Sequence, residues 1–205
     1  AMTSIGGLDE GISTTSTCLV IGAGPIGIMT GMILKAMGVE KLIMSDFMDE
    51  KLENAKNISG ADVVLNMAGL SMEEQIQKVM DVTDGLGANV VISAANAPAA
   101  AIGGLQMVRK LGHYVEIGMA GGLGNRAPMD VQFHDIVFSR NVHITSVVAN
   151  TPSCFDRAFR FLKRYKEFPF DKLVTHEFHS FDEFLPTLKK MSDPNYLKGV
   201  LVFND

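Results

Sequence analysis

Tryptophan is absent from the 205 residues, cysteine occurs only twice, and aromatic residues make up just 7% of the chain. Each scarcity removes a class of answers. Cys18 and Cys154 lie far apart, and neither belongs to a CxxC pair or a mixed Cys/His cluster. A disulfide scaffold and a thiolate metal knot are therefore both excluded, and the two residues read as buried thiols. The longest apolar stretches, residues 18–21 and 90–92, are strand-sized and far short of a membrane-spanning helix. No basic start followed by an apolar core and a cleavage site is present, so the expected location is cytoplasmic. Basic residues are outnumbered, 18 against 23 acidic ones, and they are dispersed, giving a net charge of −5. That pattern leaves no electrostatic footprint for a nucleic-acid backbone.

What is present is a regular alternation. Residues 1–16 are rich in Gly, Ser and Thr and read as leader or linker. Thr17-Cys18-Leu19-Val20-Ile21 is a short continuous apolar run that stops at glycine, as a strand covered on both faces does. Beyond Gly27 the apolar positions Ile28, Met29, Met32, Ile33 and Met37 follow helical spacing up to Gly38. Strands are then predicted at 41–46, 63–65, 88–93, 114–117 and 141–148, with helices at 49–58, 72–82 and 97–110 between them. A glycine-rich loop is expected at 118–124. Repeated βα units of this kind build a right-handed, doubly wound parallel sheet with helices on both faces, so the fold class is α/β with six strands. The remainder breaks the rhythm: helices are expected at 151–165 and 181–191, and strands at 173–178 and 199–203.

The turn after the first strand reads Gly22-Ala23-Gly24-Pro25-Ile26-Gly27. A GxGxxG pattern alone is weak, but its place between a buried strand and a helix gives it physical content. The first glycine makes the tight turn, the second lets main chain approach a pyrophosphate, and the third lets helix pack on strand. Pro25 has no N–H, so Ile26 and its neighbours are expected to donate to the phosphates. Asp46, about 20 residues further on, ends the second strand, where a carboxylate accepts from both ribose hydroxyls and repels a 2′-phosphate. NAD rather than NADP is the predicted cofactor, because no arginine follows Asp46 to rescue the phosphorylated form.

These residues, with Ser45-Asp46, Lys51-Leu52, Ala55-Lys56, Asp84-Gly85, Gly87-Ala88-Asn89-Val90-Val91, Gly112-His113-Tyr114-Val115-Glu116-Ile117-Gly118 and Lys198-Gly199-Val200-Leu201-Val202, resemble the medium-chain dehydrogenase/reductase superfamily of zinc alcohol, sorbitol and threonine dehydrogenases. The resemblance covers roughly residues 17–203. It implies a Rossmann NAD-binding domain at 17–150 and, at 151–205, an extension resembling the part that returns to the catalytic domain. By the same resemblance Lys51 lies near the adenosine ribose, and Ser93, Ala94, Ala95, Ile117, Gly118, Met119 and Val148 line the nicotinamide pocket. It also implies a homodimer joined through the edge strand 143–148. In zinc members the catalytic ligands lie upstream of the glycine motif, where this chain has only 21 residues with no His and no Cys other than Cys18. No metal ligand or catalytic residue is therefore assigned here, and zinc is expected on an N-terminal domain of a longer enzyme.

Five histidines, His113, His134, His143, His176 and His179, form no HxxxH or HExxH pattern, and no nucleophile elbow supports acyl chemistry. The methionines read as core filler. The favoured function is the NAD-binding part of an alcohol or polyol dehydrogenase, with a small alcohol as the substrate met through the other domain. A stand-alone NAD-binding module or redox sensor is the alternative, and a related fold that holds another adenine-containing ligand is a third.

Overall fold

The computed structural model describes residues 12–118, 131–148, 151–188, 193 and 195–203. Strands β1 (Thr17–Ile21), β2 (Lys41–Asp46), β3 (Val63–Asn66), β4 (Ala88–Ser93), β5 (Val108–Glu116) and β6 (His143–Ser146) form one sheet in the order β3-β2-β1-β4-β5-β6. All its pairings are parallel. Parallel neighbours require crossovers, and helices α1 (Pro25–Ala36), α2 (Asp49–Ser59), α3 (Met72–Asp81) and α4 (Pro98–Met107) provide the four from β1 to β5. The predicted six-stranded α/β architecture is the one observed.

The centre of the sheet is covered on both faces, which explains why β1 and β4 read as unbroken apolar runs. Cys18, Leu19 and Val20 of β1, like Val90, Val91 and Ile92 of β4, have no exposed surface. Val20, Val90 and Ile92 face a core completed by Ile28 and Met32 of α1 and by Leu52 and Ala55 of α2. Leu19 and Val91 face the opposite core, which contains Val79 of α3 and Leu105 of α4.

Local signals set the element ends. Ser71 caps α3 reciprocally: the Glu74 N–H donates to Ser71 Oγ at 3.2 Å, and the Ser71 N–H donates to Glu74 Oε2 at 2.7 Å. At the end of α2, Gly60 adopts a left-handed φ of 72° and closes the last turn onto Lys56 O. Asp62 clamps α1 to β2, accepting from Lys35 Nζ at 2.8 Å and from the Leu42 N–H at 2.7 Å.

Two sequence expectations are corrected. The helix predicted over 97–110 ends at Met107, and Val108 pairs in register with Ala88. The Arg140 guanidinium donates to the carbonyls of Leu105, Gln106 and Val108, so the carbonyls at the helix end are taken by a side chain from a distant segment. Leu111 then turns with φ 62°, and the register shifts before Val90 meets His113. Second, the strand predicted over 173–178 is shorter. Phe170–Leu173 is a 3₁₀ turn, held by Lys172 N–H to Pro169 O, and only His176–Phe178 (β7) is extended. In addition, residues 134–138, for which the sequence pattern predicts no element, form a π-helical turn.

Beyond the sheet, α5 (Pro152–Arg164) leads through a cluster of Phe161, Tyr165, Phe168 and Phe170. Phe161, Phe168 and Phe170 pack against the α1/α2 core. Strand β7 pairs with β8 (Gly199–Leu201) in a separate two-stranded sheet, and α6 (Phe181–Leu188) lies between them in sequence. Most of the loop expected at 118–124 and the end of the helix expected at 181–191 fall outside the described residues.

Candidate functional site

Strand order reverses between β1 and β4, because the chain winds outward through β2 and β3 before returning to β4 on the other side of β1. A crevice opens at such a switch point, where the adjoining connections run to opposite faces. The loop from Gly22 to Gly27 stands at its mouth.

The three glycines of the loop do three different things. Gly22 adopts φ +101°, and its N–H donates to Ser45 O at 2.8 Å; a Cβ there would lie 3.2 Å from the Ala94 carbonyl carbon and 3.3 Å from Ala95 N. Gly27 is packed on the same turn, since a Cβ would fall 1.9 Å from Gly22 O. Gly24 differs from both: leaving its two chain neighbours aside, no atom of the described residues lies within 4 Å of the position its Cβ would take. Gly24 is also the N-cap of α1, with no side chain capping the helix, and Pro25 occupies the first turn. The Ile28 N–H is the first to reach back along the helix, to Gly24 O at 2.9 Å. The N–H groups of Ile26 and Gly27 precede the first possible intrahelical bond and point out of the helix start.

Asp46 closes the other side. Its Oδ2 accepts from the Ala23 N–H at 2.8 Å, and its Oδ1 accepts from the Phe47 N–H at 2.7 Å. The carboxylate therefore ties the end of β2 to the glycine turn, and each oxygen keeps acceptor capacity for a further donor. Lys51 is half-buried in the first turn of α2, and no hydrogen bond or ion pair joins it to Asp46 among the described residues.

Next to Asp46 a cleft of about 650 Å³, counting its open mouth, runs over the α3/α4 face. Ile21, Phe47, Met67, Met72, Ala95 and Met107 are among its walls, and its surface is mostly apolar. Phe47 is 59% exposed despite being aromatic. The sequence reading did not single out Phe47 or Met67. Their signal was available, because each directly follows the end of a parallel strand on the ligand side of the sheet.

On the other side of the switch point, Ala94 and Ala95 follow β4, and Ile117 and Gly118 follow β5. The Ala94 N–H donates to Ile21 O at 2.8 Å and the Ile117 N–H to Ser93 O at 3.0 Å, so the exits of β1, β4 and β5 are laced together. Ser93 is fully buried, so its side chain does not line the open cleft. Val148 lies two residues beyond β6 and is 81% exposed; Met119 falls outside the described residues. Beneath this corner the buried Tyr114 hydroxyl donates to Glu116, and burial, followed by that neighbouring carboxylate, pushes its ionisation well above the ordinary range.

The arrangement offers main-chain donors at a helix start that have no partner among the described residues, an acceptor carboxylate at the end of the next strand, and an apolar slot beside it. It fits a dinucleotide. For zinc the donor set does not fit: among the described residues no three His, Cys, Asp or Glu side chains gather into a metal-holding group.

Comparison with known proteins agrees with this geometry. The model of the zinc-binding dehydrogenase family matches residues 25–164. Erythritol/L-threitol dehydrogenase of Mycolicibacterium smegmatis is 33% identical over 171 residues, covering 82% of this chain and 43% of that protein. L-threonine 3-dehydrogenase of Pyrococcus horikoshii is 29% identical over 167 residues, covering 81% and 45%. In structure, an alcohol dehydrogenase of Thermotoga maritima superposes with a TM-score of 0.84 at 25% identity, covering 99% of this chain and 55% of that one. The chain thus spans about half the length of the curated relatives it matches. With the family model extending over more than half of its residues, this chain belongs to the zinc-binding dehydrogenase family.

Proposed function

We propose that this chain is the NAD-binding part of an alcohol or polyol dehydrogenase. The observation that carries the reading is the pairing of an open Gly24 with an Asp46 carboxylate hydrogen-bonded to the same turn. A pyrophosphate over Gly24 meets the N–H groups of Ile26 and Gly27 at the positive end of α1. Asp46 accepts from the adenosine ribose hydroxyls with Lys51 nearby, and the base enters the apolar slot beside Phe47. The cofactor then crosses the switch point and brings its nicotinamide towards Ala94, Ala95, Ile117 and Gly118, with Met119 and Val148 further along the same edge. NAD, when bound, supplies the hydride acceptor; the residues of this chain orient it and shield its faces.

Catalytic zinc and substrate contacts belong, in this reading, to the part of its relatives' length that this chain does not span, and the substrate is a small secondary alcohol or polyol. The polyol relatives support the substrate class. Residues 17–150 act as the cofactor domain, and 151–205 return to the catalytic one. Two observations support that division: Phe155, Phe159 and Leu162 of α5 are exposed at helical spacing, and β7–β8 is only two strands wide. The β6 edge, with Ile144 and Val148 exposed, joins two copies. A cytoplasmic location goes with this reading.

Fluorescence titration with NADH, alongside NADPH and S-adenosylmethionine as competitors, tests the cofactor. NADH binds at least about tenfold more tightly than NADPH, and Asp46→Ala weakens NADH by about 10- to 100-fold while narrowing that preference, as expected for hydrogen bonds to a charged acceptor. Equal affinity for NADH and NADPH, or displacement of NADH by S-adenosylmethionine at comparable concentration, overturns the reading.

A further inference from the structure

Glu116 ends β5 with its side chain on the α4 face, and it is the middle residue of a three-strand row, in register with Ser93 on one side and Ser146 on the other. Its two carboxylate oxygens are used separately. One accepts from the Tyr114 hydroxyl, and the other accepts from the Gly118 N–H at 2.8 Å. Gly104 of α4 leaves the room that the Tyr114 ring occupies, since a Cβ there would stand 2.8 Å from Tyr114 Cε2. Gly118 in turn is pressed against the exit of β4, where a Cβ would lie 2.2 Å from Ala95 O.

The bond to Gly118 sets a direction. The peptide joining Ile117 to Gly118 is trans, so turning its N–H down to the carboxylate on the α4 side turns the Ile117 carbonyl to the opposite side. Among the described residues none donates to that carbonyl. An acceptor with no donor among the described residues thereby stands at the strand exit, where a parallel sheet presents ligands.

We propose that Glu116 is a positioning residue for the nicotinamide end of the cofactor, acting through the peptide between Ile117 and Gly118. The inference rests on the dinucleotide reading above. The carboxylate fixes the Ile117 carbonyl as an acceptor for an amide N–H₂ group, the one strong donor that the nicotinamide ring carries. Satisfying the buried Tyr114 hydroxyl would by itself explain an acceptor at position 116; it would not explain why the second oxygen is spent on main chain.

The test uses the 205-residue chain and two ligands, NADH and ADP-ribose, the latter lacking nicotinamide. Glu116→Leu removes the acceptor, and the double variant Tyr114→Phe/Glu116→Leu removes it without stranding a buried hydroxyl, which keeps the fold close to its original stability. In both, NADH affinity falls about tenfold, the loss of one well-placed hydrogen bond, while ADP-ribose affinity stays within about twofold. Tyr114→Phe alone leaves both affinities in place, and Glu116→Gln keeps most NADH affinity because its amide oxygen still accepts from Gly118. Parallel weakening of NADH and ADP-ribose, or loss on Tyr114→Phe alone, makes Glu116 a purely structural residue and overturns the proposal. An original chain that binds ADP-ribose but not NADH overturns it as well, whereas one that binds neither refutes the dinucleotide reading itself.

Discussion

Gly24 and Gly27 sit three residues apart in one motif, yet their substitution by alanine separates a ligand requirement from a folding requirement. At Gly27 the added Cβ falls 1.9 Å from Gly22 O, about 1.4 Å inside the roughly 3.3 Å at which carbon and oxygen ordinarily meet. The obstacle is backbone, so α1 must shift off β1, and overpacking of this kind costs about 1–3 kcal/mol or more. Alanine's better helix propensity returns only about 0.5–1 kcal/mol. A net loss near 2 kcal/mol lowers the melting midpoint by about 4–8 °C for a chain of this length. At Gly24, chain neighbours aside, no atom of the described residues lies within 4 Å of the new methyl group, and the backbone, at φ −78° and ψ −178°, is extended and open to any residue. Losing glycine at the N-cap costs a few tenths to about 1 kcal/mol, and the less flexible unfolded chain offsets about 0.4–1 kcal/mol of it. The midpoint of Gly24→Ala should therefore stay within about 2 °C of the original, while NADH binding weakens about 10- to 100-fold because the methyl group occupies the phosphate's place. Thermal melts and NADH titrations on the two variants decide the matter. Equal destabilisation of both, or undiminished NADH affinity in Gly24→Ala, would refute the division of labour within the loop.

Two further outcomes follow from the geometry. Burial raises the Asp62 carboxyl, but the Lys35 ammonium and the Leu42 N–H outweigh it and leave its ionisation below the ordinary range. A depressed carboxylate stabilises the fold above its unfolded value of about 3.9 and loses that contribution as pH falls through the folded value. The melting difference between the original chain and Asp62→Asn should accordingly be constant near neutrality and shrink below about pH 4; a difference that grows on acidification contradicts the assignment. At the sheet edge, Ile144→Lys places a charge on β6 and should convert a dimer to a monomer in sedimentation velocity, since charged edges resist strand addition; an unchanged sedimentation coefficient would remove β6 as the joining surface.

Most of the sheet was legible because a parallel strand covered on both faces has no polar alternation to dilute its signal. Residues 18–20 and 90–92 announce themselves as apolar runs, and each is wholly buried. Where the reading failed, a distant partner had intervened. Nothing in residues 97–110 announces that Arg140, thirty-odd positions later, takes the carbonyls of Leu105, Gln106 and Val108 and lets a strand begin at Val108. Apart from Gln106 the helix there is built of small and apolar residues, so no polar face marked its end. At 170–173 aromatic packing was decisive: Phe170 turns inward beside Phe161 and Phe168, and the chain tightens into a 3₁₀ turn before β7.

The candidate site divides along a similar line. The meeting of Gly22, Gly24, Gly27 and Asp46 is legible because all four belong to one βαβ unit, where spacing along the chain fixes spacing in space. Phe47 and Met67 come from different strand ends, and their meeting depends on β3 lying beside β2. Glu116 is harder still to see, since its consequence passes through a single main-chain N–H two residues away. In a parallel sheet every strand leaves in the same direction, so residues just past each strand converge on one edge regardless of their separation in sequence. Aligning the strand ends first, and only then asking what residue follows each, brings Phe47, Met67, Ala94 and Ile117 onto one line. A polar or aromatic residue on that line, in place of the small or aliphatic one that packing alone would choose, is where binding chemistry should be sought.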